Sequence, residues 1–264
     1  MKKRIAGSNL LYGVNPLLEA LRAGSRAPAE ILIAEGARDE RLRTLIELAR
    51  SKNVAVRRVP RAVLDRAAGN THHQGVMARV AATEYVDAED LLGSISARSQ
   101  SQTAPLLLVL DGIEDPRNLG AIVRTAECAG ISALFIPERR AAGLNETVAK
   151  ASAGALEYVS VARVTNLARL LDQLKERNVW VVGAAADASK DYTEWDWRPP
   201  SALVLGSEGS GLHRLVRERC DALVRIPVLG KIESLNVSVV AGIILYEALR
   251  QRKTDTSEIS ETRS

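Results

Sequence analysis

The sequence predicts an α/β fold: a mostly parallel sheet covered by helices in the back of the chain, preceded by a smaller α/β unit at the front. Three observations lead there. Beyond residue 105, short apolar runs alternate with helix-spaced segments, the pattern of strands buried on both faces and joined by crossover helices. Before residue 85, strand-like and helix-like segments also alternate, on a basic stretch of chain. Between them, "AEDLLGSISARSQSQTAP" (88–105) is rich in Ser, Gln and Ala and reads as a linker with a short helix at its start. The expected organisation is a front domain over 1–84, a linker over 85–105, a main domain over 106–250 and a disordered polar tail, "QRKTDTSEISETRS", over 251–264.

In the front domain, Asn15 before Pro16 reads as a helix N-cap followed by proline at the first helical position. "EILIAE" (30–35) is strand-like, and "RDERLRTLIELARSK" (38–52) sets Leu42, Leu45, Ile46 and Leu48 at helical spacing. "VAVRRV" (54–59) and "GVMARVA" (75–81) read as strands. The main domain starts at "PLLLVLDGI", a continuous apolar run that ends in Asp111. The helix "LGAIVRTAECAG" follows, with Gly130 as its stop. Further strands are expected at 131–137, 157–164, 179–186, 202–209 and 222–228. "IESLNVSVVAGIILYEAL", from Ile232 to Leu249, reads as a buried helix whose front carries three polar residues, Ser234, Asn236 and Ser238. No internal repeat is present.

Composition narrows the function. Aromatic residues make up 3% of the chain, so aliphatic residues must fill the core and stacking platforms for single-stranded RNA are disfavoured. Residues 1–84 hold 15 Lys/Arg against 8 Asp/Glu, and the remainder 21 against 24, so a basic front would attract a polyanion while the back does something else. Cys128 and Cys220 stand far apart, which favours reduced thiols over a disulfide framework. No Cys/His spacing resembles a zinc site, so no metal is expected. "MKKRIAGSNLLYG" has no apolar run long enough for a signal peptide, and no segment can span a bilayer, so the expected location is the cytoplasm.

Three polar loops follow apolar strands: "DGIEDPRNLGAIVRTA", "GSEGSGL" and "VLGKIESLNVS". In an open parallel sheet such loops share the carboxyl edge, where ligands bind. The first supplies Asn118 at a helix entrance and Arg124 farther along. Taken singly, Arg124 reads equally well as a snorkelling surface arginine. The second sets Glu208 among three glycines, without the "GK[ST]" ending of a Walker motif or the spacing of a dinucleotide fingerprint. In the third, Ser234 is expected to cap the helix, which leaves Asn236 in a first turn whose free N–H groups can bind a polar ligand.

With these residues in view, the chain resembles the SpoU/TrmH family of RNA ribose 2′-O-methyltransferases, of the SPOUT superfamily. The resembling motifs are "NLGAIVRTAECAG", "LVLGSEGSGL" and "IPVLGKIESLNVSVVAGI", in the family's order. "LYGVNPLLEAL" and "HHQGVMARV" resemble the ribosomal-protein-like substrate-binding domain of a branch that methylates a guanosine ribose in the P loop of 23S rRNA. The resemblance implies a SPOUT-type parallel sheet with a C-terminal trefoil knot, a homodimer, and S-adenosylmethionine (SAM) as methyl donor. It places SAM contacts at Gly206, Ile226 and Leu235, with Leu203, Ser207, Val228 and Ser234 as neighbours. It also implies that Arg124 is catalytic and that Asn118, Glu208, Ser234 and Asn236 position it, the ribose and the methionine end of SAM.

A guanidinium almost never loses its proton, so Arg124 is expected to grip the RNA phosphate and hydroxyl rather than act as a base. The front domain is expected to bind 23S rRNA by charge, through Arg22, Arg26, Arg57, Arg58 and Arg61, with His73 and Gln74 near the RNA. The alternatives are another RNA target within the family (a tRNA ribose or a different rRNA site) and a non-catalytic assembly factor. A nucleotide-dependent oxidoreductase is opposed by the missing glycine fingerprint.

Overall fold

Two groups of aliphatic residues form separate cores, and the chain divides between them. One unit comprises the chain up to Glu84 together with Gly143–Tyr158; the other comprises Tyr85–Ala142 and the chain from Val159 onward. The computed structural model describes residues 8–37, 40–69, 73–98, 104–232 and 234–261.

The first unit contains β1 (Ser8–Tyr12), α1 (Val14–Ala23), β2 (Glu30–Ala34), α2 (Glu40–Ser51), β3 (Ala55–Val59), α3 (Arg61–Ala68) and β4 (Val76–Ala81). Its sheet order is β1-β4-β2-β3, with β4 antiparallel to both neighbours and β2 parallel to β3. Side chains alternate across a strand. Leu32 and Ala34 therefore join Leu64 and Met77 on one face, which leaves Ile31 and Ile33 to be buried on the other. β1 and α3 were not anticipated. Nor does Asn15 cap α1. Gly13 takes the N-cap position at φ 98°, and Asn15 and Pro16 lie inside the first turn. Proline is tolerated there because the first-turn N–H groups lack intrahelical partners in any case.

The second unit contains α4 (Ala88–Arg98), β5 (Leu106–Asp111), α5 (Pro116–Cys128) and β6 (Ala133–Pro137). The chain next forms α6 (Glu146–Ala151) and a 3₁₀ turn at Ala155–Glu157, both part of the first unit. It returns as β7 (Val161–Val164), α7 (Leu167–Lys175), β8 (Trp180–Ala184), β9 (Lys190–Asp191), β10 (Ser201–Gly206), α8 (Arg214–Arg217), β11 (Ala222–Arg225) and α9 (Val237–Glu261). The sheet order is β7-β6-β5-β10-β8-β11-β9, with every pairing parallel. Leu107, Leu108, Val109, Leu203 and Val204, on the central strands, have no solvent exposure. Continuous apolar runs mark strands covered on both faces for this reason.

Three expected boundaries change. The segment 85–98 is not a linker: Leu91, Leu92 and Ile95 are buried in the core of the second unit, and the Val86 N–H donates to the Val161 carbonyl at 2.9 Å. Residues 99–103 of that stretch lie outside the described residues. The tail does not begin at Gln251, because α9 continues to Glu261 and Arg252 donates to the carbonyls of Ala104, Pro105, Trp197 and Pro199. Residues 262–264 lie outside the described residues. Finally, α6 interrupts the expected main domain because its residues complete the first unit. The Glu146 carboxylate accepts the Leu10 N–H at 3.1 Å and the Tyr12 hydroxyl at 3.0 Å, both on the edge strand β1.

Candidate active site

β5 and β10 lie side by side and in register, so that Asp111 pairs with Gly206 at the carboxyl edge of the sheet. The loops that follow them, and the loop after β11, carry the polar motifs.

Asp115 caps α5, its carboxylate accepting the Arg117 N–H at 2.8 Å, and Asn118 follows as the third helical residue. After β10 the chain makes a tight reversal in which Ser207 and Gly211 exchange backbone hydrogen bonds at 3.1 and 3.0 Å. Gly206 lies so close to the returning strand that an added Cβ would fall 2.2 Å from the Gly211 carbonyl carbon, a position only glycine can hold. In the third loop Asn236 is the cap of α9. Its carbonyl accepts the Val240 N–H at 3.1 Å, and its Oδ1 accepts the Ser238 N–H at 2.9 Å. Ser234, expected to cap, stands two residues too early; it is exposed and lines a cavity.

These loops close a triangle of side chains. Asn118 Nδ2 donates to Glu208 Oε1 at 3.1 Å, and Asn236 Nδ2 donates to the same oxygen at 2.5 Å and to Asn118 Oδ1 at 3.1 Å. Glu208 Oε1 also lies 3.4 Å from the Val237 N–H, at the first turn of α9, where the helix dipole favours an anion. Ser238 acquires a role here. Its hydroxyl donates to Asn236 Oδ1 at 2.6 Å, which fixes the amide so that its N–H groups face Glu208 and Asn118. The triangle leaves one Asn118 N–H and Glu208 Oε2 without partners among the described residues.

Two cavities meet at Ser207, Glu208, Ser210 and Val237, which line both. One, of about 540 Å³, runs along the Gly206–Leu212 loop and includes Ser207, Ile226, Val228, Ser234 and Leu235. Val240 and Ile244 give it apolar wall, and an Asp187–Arg217 ion pair stands on its lining. The Arg217 guanidinium holds the Asp187 carboxyl below the usual carboxylate range. Leu203, three residues inside β10, is fully buried and does not line this cavity. The second cavity, of about 460 Å³, holds Asn118, Glu208, Glu114, Asp115, Arg140 and His213.

Arg124 is not part of this cluster. It is exposed, lines neither cavity, and has no hydrogen bond or ion pair among the described residues. Six residues of helix separate it from Asn118, a rotation of about 240°, so the two side chains leave α5 on different faces. Sequence reasoning passed over three residues at or beside the second cavity: His213 and Arg140 line it, and Asp111 bonds His213. No local pattern singles out His213, and Asp111 reads only as the end of an apolar run; their places beside two motif loops were the available signal. Arg140, at φ 55°, had no signal. Cys220 is no nucleophile: burial pushes its thiol up to about 12.

In the first unit the expected RNA contacts separate. Arg26 is buried and ion-paired with the buried Glu157, and its Nη1 donates to the Ala81 carbonyl. His73 is also buried. Its Nδ1 accepts the Gly75 N–H at 3.0 Å, so Nε2 donates to Asp65, and the ring clamps the turn before β4. Arg22 pairs with Glu19 and Arg57 with Glu30. Arg58 and Arg61 are exposed without ion-pair partners among the described residues, and Gln74 is exposed.

Comparison with known proteins accords with this geometry. Residues 105–246 match the SpoU rRNA Methylase family, and residues 10–86 match the RNA 2′-O ribose methyltransferase substrate-binding family. The chain is 44% identical to the 23S rRNA (guanosine-2′-O-)-methyltransferase RlmB of Pseudomonas aeruginosa, over 92% of this chain and 96% of that protein. It is 46% identical to the putative TrmH family tRNA/rRNA methyltransferase YacO of Bacillus subtilis, over 92% and 95%. Among solved structures, the SpoU methyltransferase AviRb from Streptomyces viridochromogenes in complex with AdoMet superposes with a TM-score of 0.75 at 25% identity, covering 94% of this chain and 92% of that one.

Proposed function

The chain belongs to the SpoU rRNA Methylase family, and from that membership we infer that it methylates ribose 2′-hydroxyls of rRNA with SAM as donor. The observation that carries this reading is the Asn118–Glu208–Asn236 triangle at the junction of two cavities. Such a junction suits a reaction that brings two molecules together, and ordering both reactants removes much of the entropic barrier.

The 540 Å³ cavity fits SAM. Its apolar wall suits an adenine ring, and its glycine-lined loop exposes backbone groups for polar contacts. Gly206, Ser207, Ile226, Val228, Ser234 and Leu235 are the residues that would hold the donor. When bound, SAM supplies a methyl group activated on a positive sulfonium. Asn118, with one N–H unengaged, and Glu208, with its second oxygen unengaged, both line the adjoining cavity, where the ribose belongs. Arg140, on that lining, is a cation for the RNA backbone.

The P loop of 23S rRNA, at a guanosine, is the target we assign. The match of residues 10–86 to a substrate-binding family and the identity to an RlmB enzyme support it. A homodimer belongs to the same proposal, as does the knot expected of the family. Val239 and Tyr246, two turns apart on α9, form an exposed apolar stripe, with 47% and 50% exposure. Arg124 is on α5, which packs against α9, and its neighbour Thr125 comes within 3.7 Å of the space beside Gly242. A second copy docked on the stripe would thus meet Arg124.

The reading is tested by mapping ribose methylation in 23S rRNA from a deletion strain, and by restoring it in vitro with the purified protein and labelled SAM. Loss of one 2′-O-methylguanosine in the P loop, regained on incubation, is the expected result. An unchanged methylation map would overturn it.

A further inference from the structure

The ribose hydroxyl must give up its proton as it is methylated, and Glu208 is a poor acceptor because Asn118, Asn236 and the Val237 N–H already engage its Oε1. Arg124 lines neither cavity and holds its own proton too firmly. The second cavity is lined by one imidazole, the side chain type best suited to exchanging a proton at neutral pH. His213 lines it together with Asn118 and Glu208.

His213 is held from behind. Asp111, at the end of β5, is 4% exposed, and both of its oxygens are engaged. Oδ2 accepts the His213 backbone N–H at 2.7 Å, and Oδ1 lies 2.9 Å from His213 Nδ1. An acceptor at Nδ1 selects the tautomer protonated there and leaves the Nε2 lone pair bare. Gly112, at φ 81°, lets the backbone pass the ring: an added Cβ would stand 3.4 Å from His213 Cε1. The His213 side chain itself is 45% exposed, so a captured proton can leave to water. Its charged neighbours on the cavity lining are Glu114, Asp115, Arg140 and Glu208.

We propose that His213, oriented by Asp111, is the proton acceptor for the ribose 2′-hydroxyl in this chain. This rests on the methyl-transfer reading above. The 2′-oxygen forms its bond to the methyl carbon while the carbon–sulfur bond breaks and its electron pair stays on sulfur. The hydroxyl proton passes to His213 Nε2, and the resulting imidazolium releases it to solvent. Asp111 stabilises that cation and does not touch the substrate, which makes it a positioning residue.

The first test does not depend on turnover. In protein labelled with ¹⁵N-histidine, the His213 ring at neutral pH should carry its proton on Nδ1; a proton on Nε2 would overturn the proposal. The second is His213→Gln, with SAM and rRNA-fragment affinities measured beside the single-turnover rate. A loss of about 100-fold or more in rate, with both affinities kept, is expected. Partial recovery of His213→Gly by added imidazole is also expected. A rate within about threefold of wild type, or a loss that tracks weaker RNA binding, would sink the idea. Absence of ribose methylation by the wild-type protein would instead count against the methyl-transfer reading, and the tautomer measurement stands apart from it.

Discussion

Asn236 Nδ2 donates to Glu208 Oε1 at 2.5 Å, joining the cap of α9 to the loop after β10 across 28 positions of sequence. The same amide donates to Asn118 and is held by Ser238 through its oxygen. A single amide therefore ties three loops together, and its orientation is the point at which the site can be loosened or broken.

Asn236→Ala removes the tie and should lower the single-turnover methylation rate roughly 100-fold. Ser238→Ala removes one hydrogen bond, worth about 1 kcal/mol, and leaves the Ser238 N–H to hold Asn236. Its rate should fall only about fivefold. Equal losses in the two variants would show that Ser238 does more than orient the amide.

Gly206→Ala places a methyl group against the backbone of Gly211 and Leu212. The loop cannot yield without losing the Ser207–Gly211 hydrogen bonds. SAM affinity by calorimetry should fall at least tenfold, about 1.4 kcal/mol. Normal affinity would mean that the reversal after β10 does not shape the donor cavity.

Arg124 and Asn236 should complement each other across a dimer. Arg124→Ala and Asn236→Ala proteins are each expected to be slowed roughly 100-fold or more. A mixed dimer would contain one site with an intact Asn236 and the Arg124 of the other copy. Co-purified heterodimers should regain turnover; an inactive mixture would mean that Arg124 serves its own chain.

RNA affinity and stability should separate in the first unit. Arg58→Ala with Arg61→Ala should weaken rRNA-fragment binding and flatten its salt dependence by up to about two units of slope, with little change in melting temperature. Arg26→Ala should destabilise the protein by about 3–5 kcal/mol, because it leaves Glu157 buried without its partner. A flattened salt slope in the Arg26 variant at unchanged stability would reverse this assignment.

Arg252 should behave as a structural clamp. Burial lowers its pKa to about 10, which still leaves it charged at neutral pH, and four carbonyls surround it. Arg252→Ala is expected to cost about 3 kcal/mol in denaturant unfolding. Truncation after Arg250 should be as damaging. A truncated chain of full stability would restore the reading of a disordered tail from Gln251.

Much of this was open to reading along the chain. Apolar runs such as "LLLVL" declare strands covered on both faces, because only burial makes such a run tolerable. Strands of that kind, joined by helices, lie parallel and deliver their following loops to one edge. Asn118, Glu208 and Asn236 could be named from the sequence, since each lies in or just after a polar loop that follows an apolar strand and within one of the three motifs. Local pattern also identified β2, α2, β3 and β4 in the first unit.

Other features depend on contacts between distant residues, which composition does not encode. "AEDLLGSISAR" resembles a linker until Leu91, Leu92 and Ile95 find the core. "QRK" resembles a tail until Arg252 finds four carbonyls. Arg26 and His73 look like RNA ligands by charge and type, but their partners Glu157 and Asp65 bury or occupy them. Hydrophobic periodicity and loop chemistry are local properties, so the sequence alone determined the fold class, the three loops and the family. Pairing is set by three-dimensional proximity. Only the tertiary structure decided which polar residue caps α9, which arginines stay free, that Arg124 stands apart from Asn118, and that Asp111 holds His213 beside the candidate site.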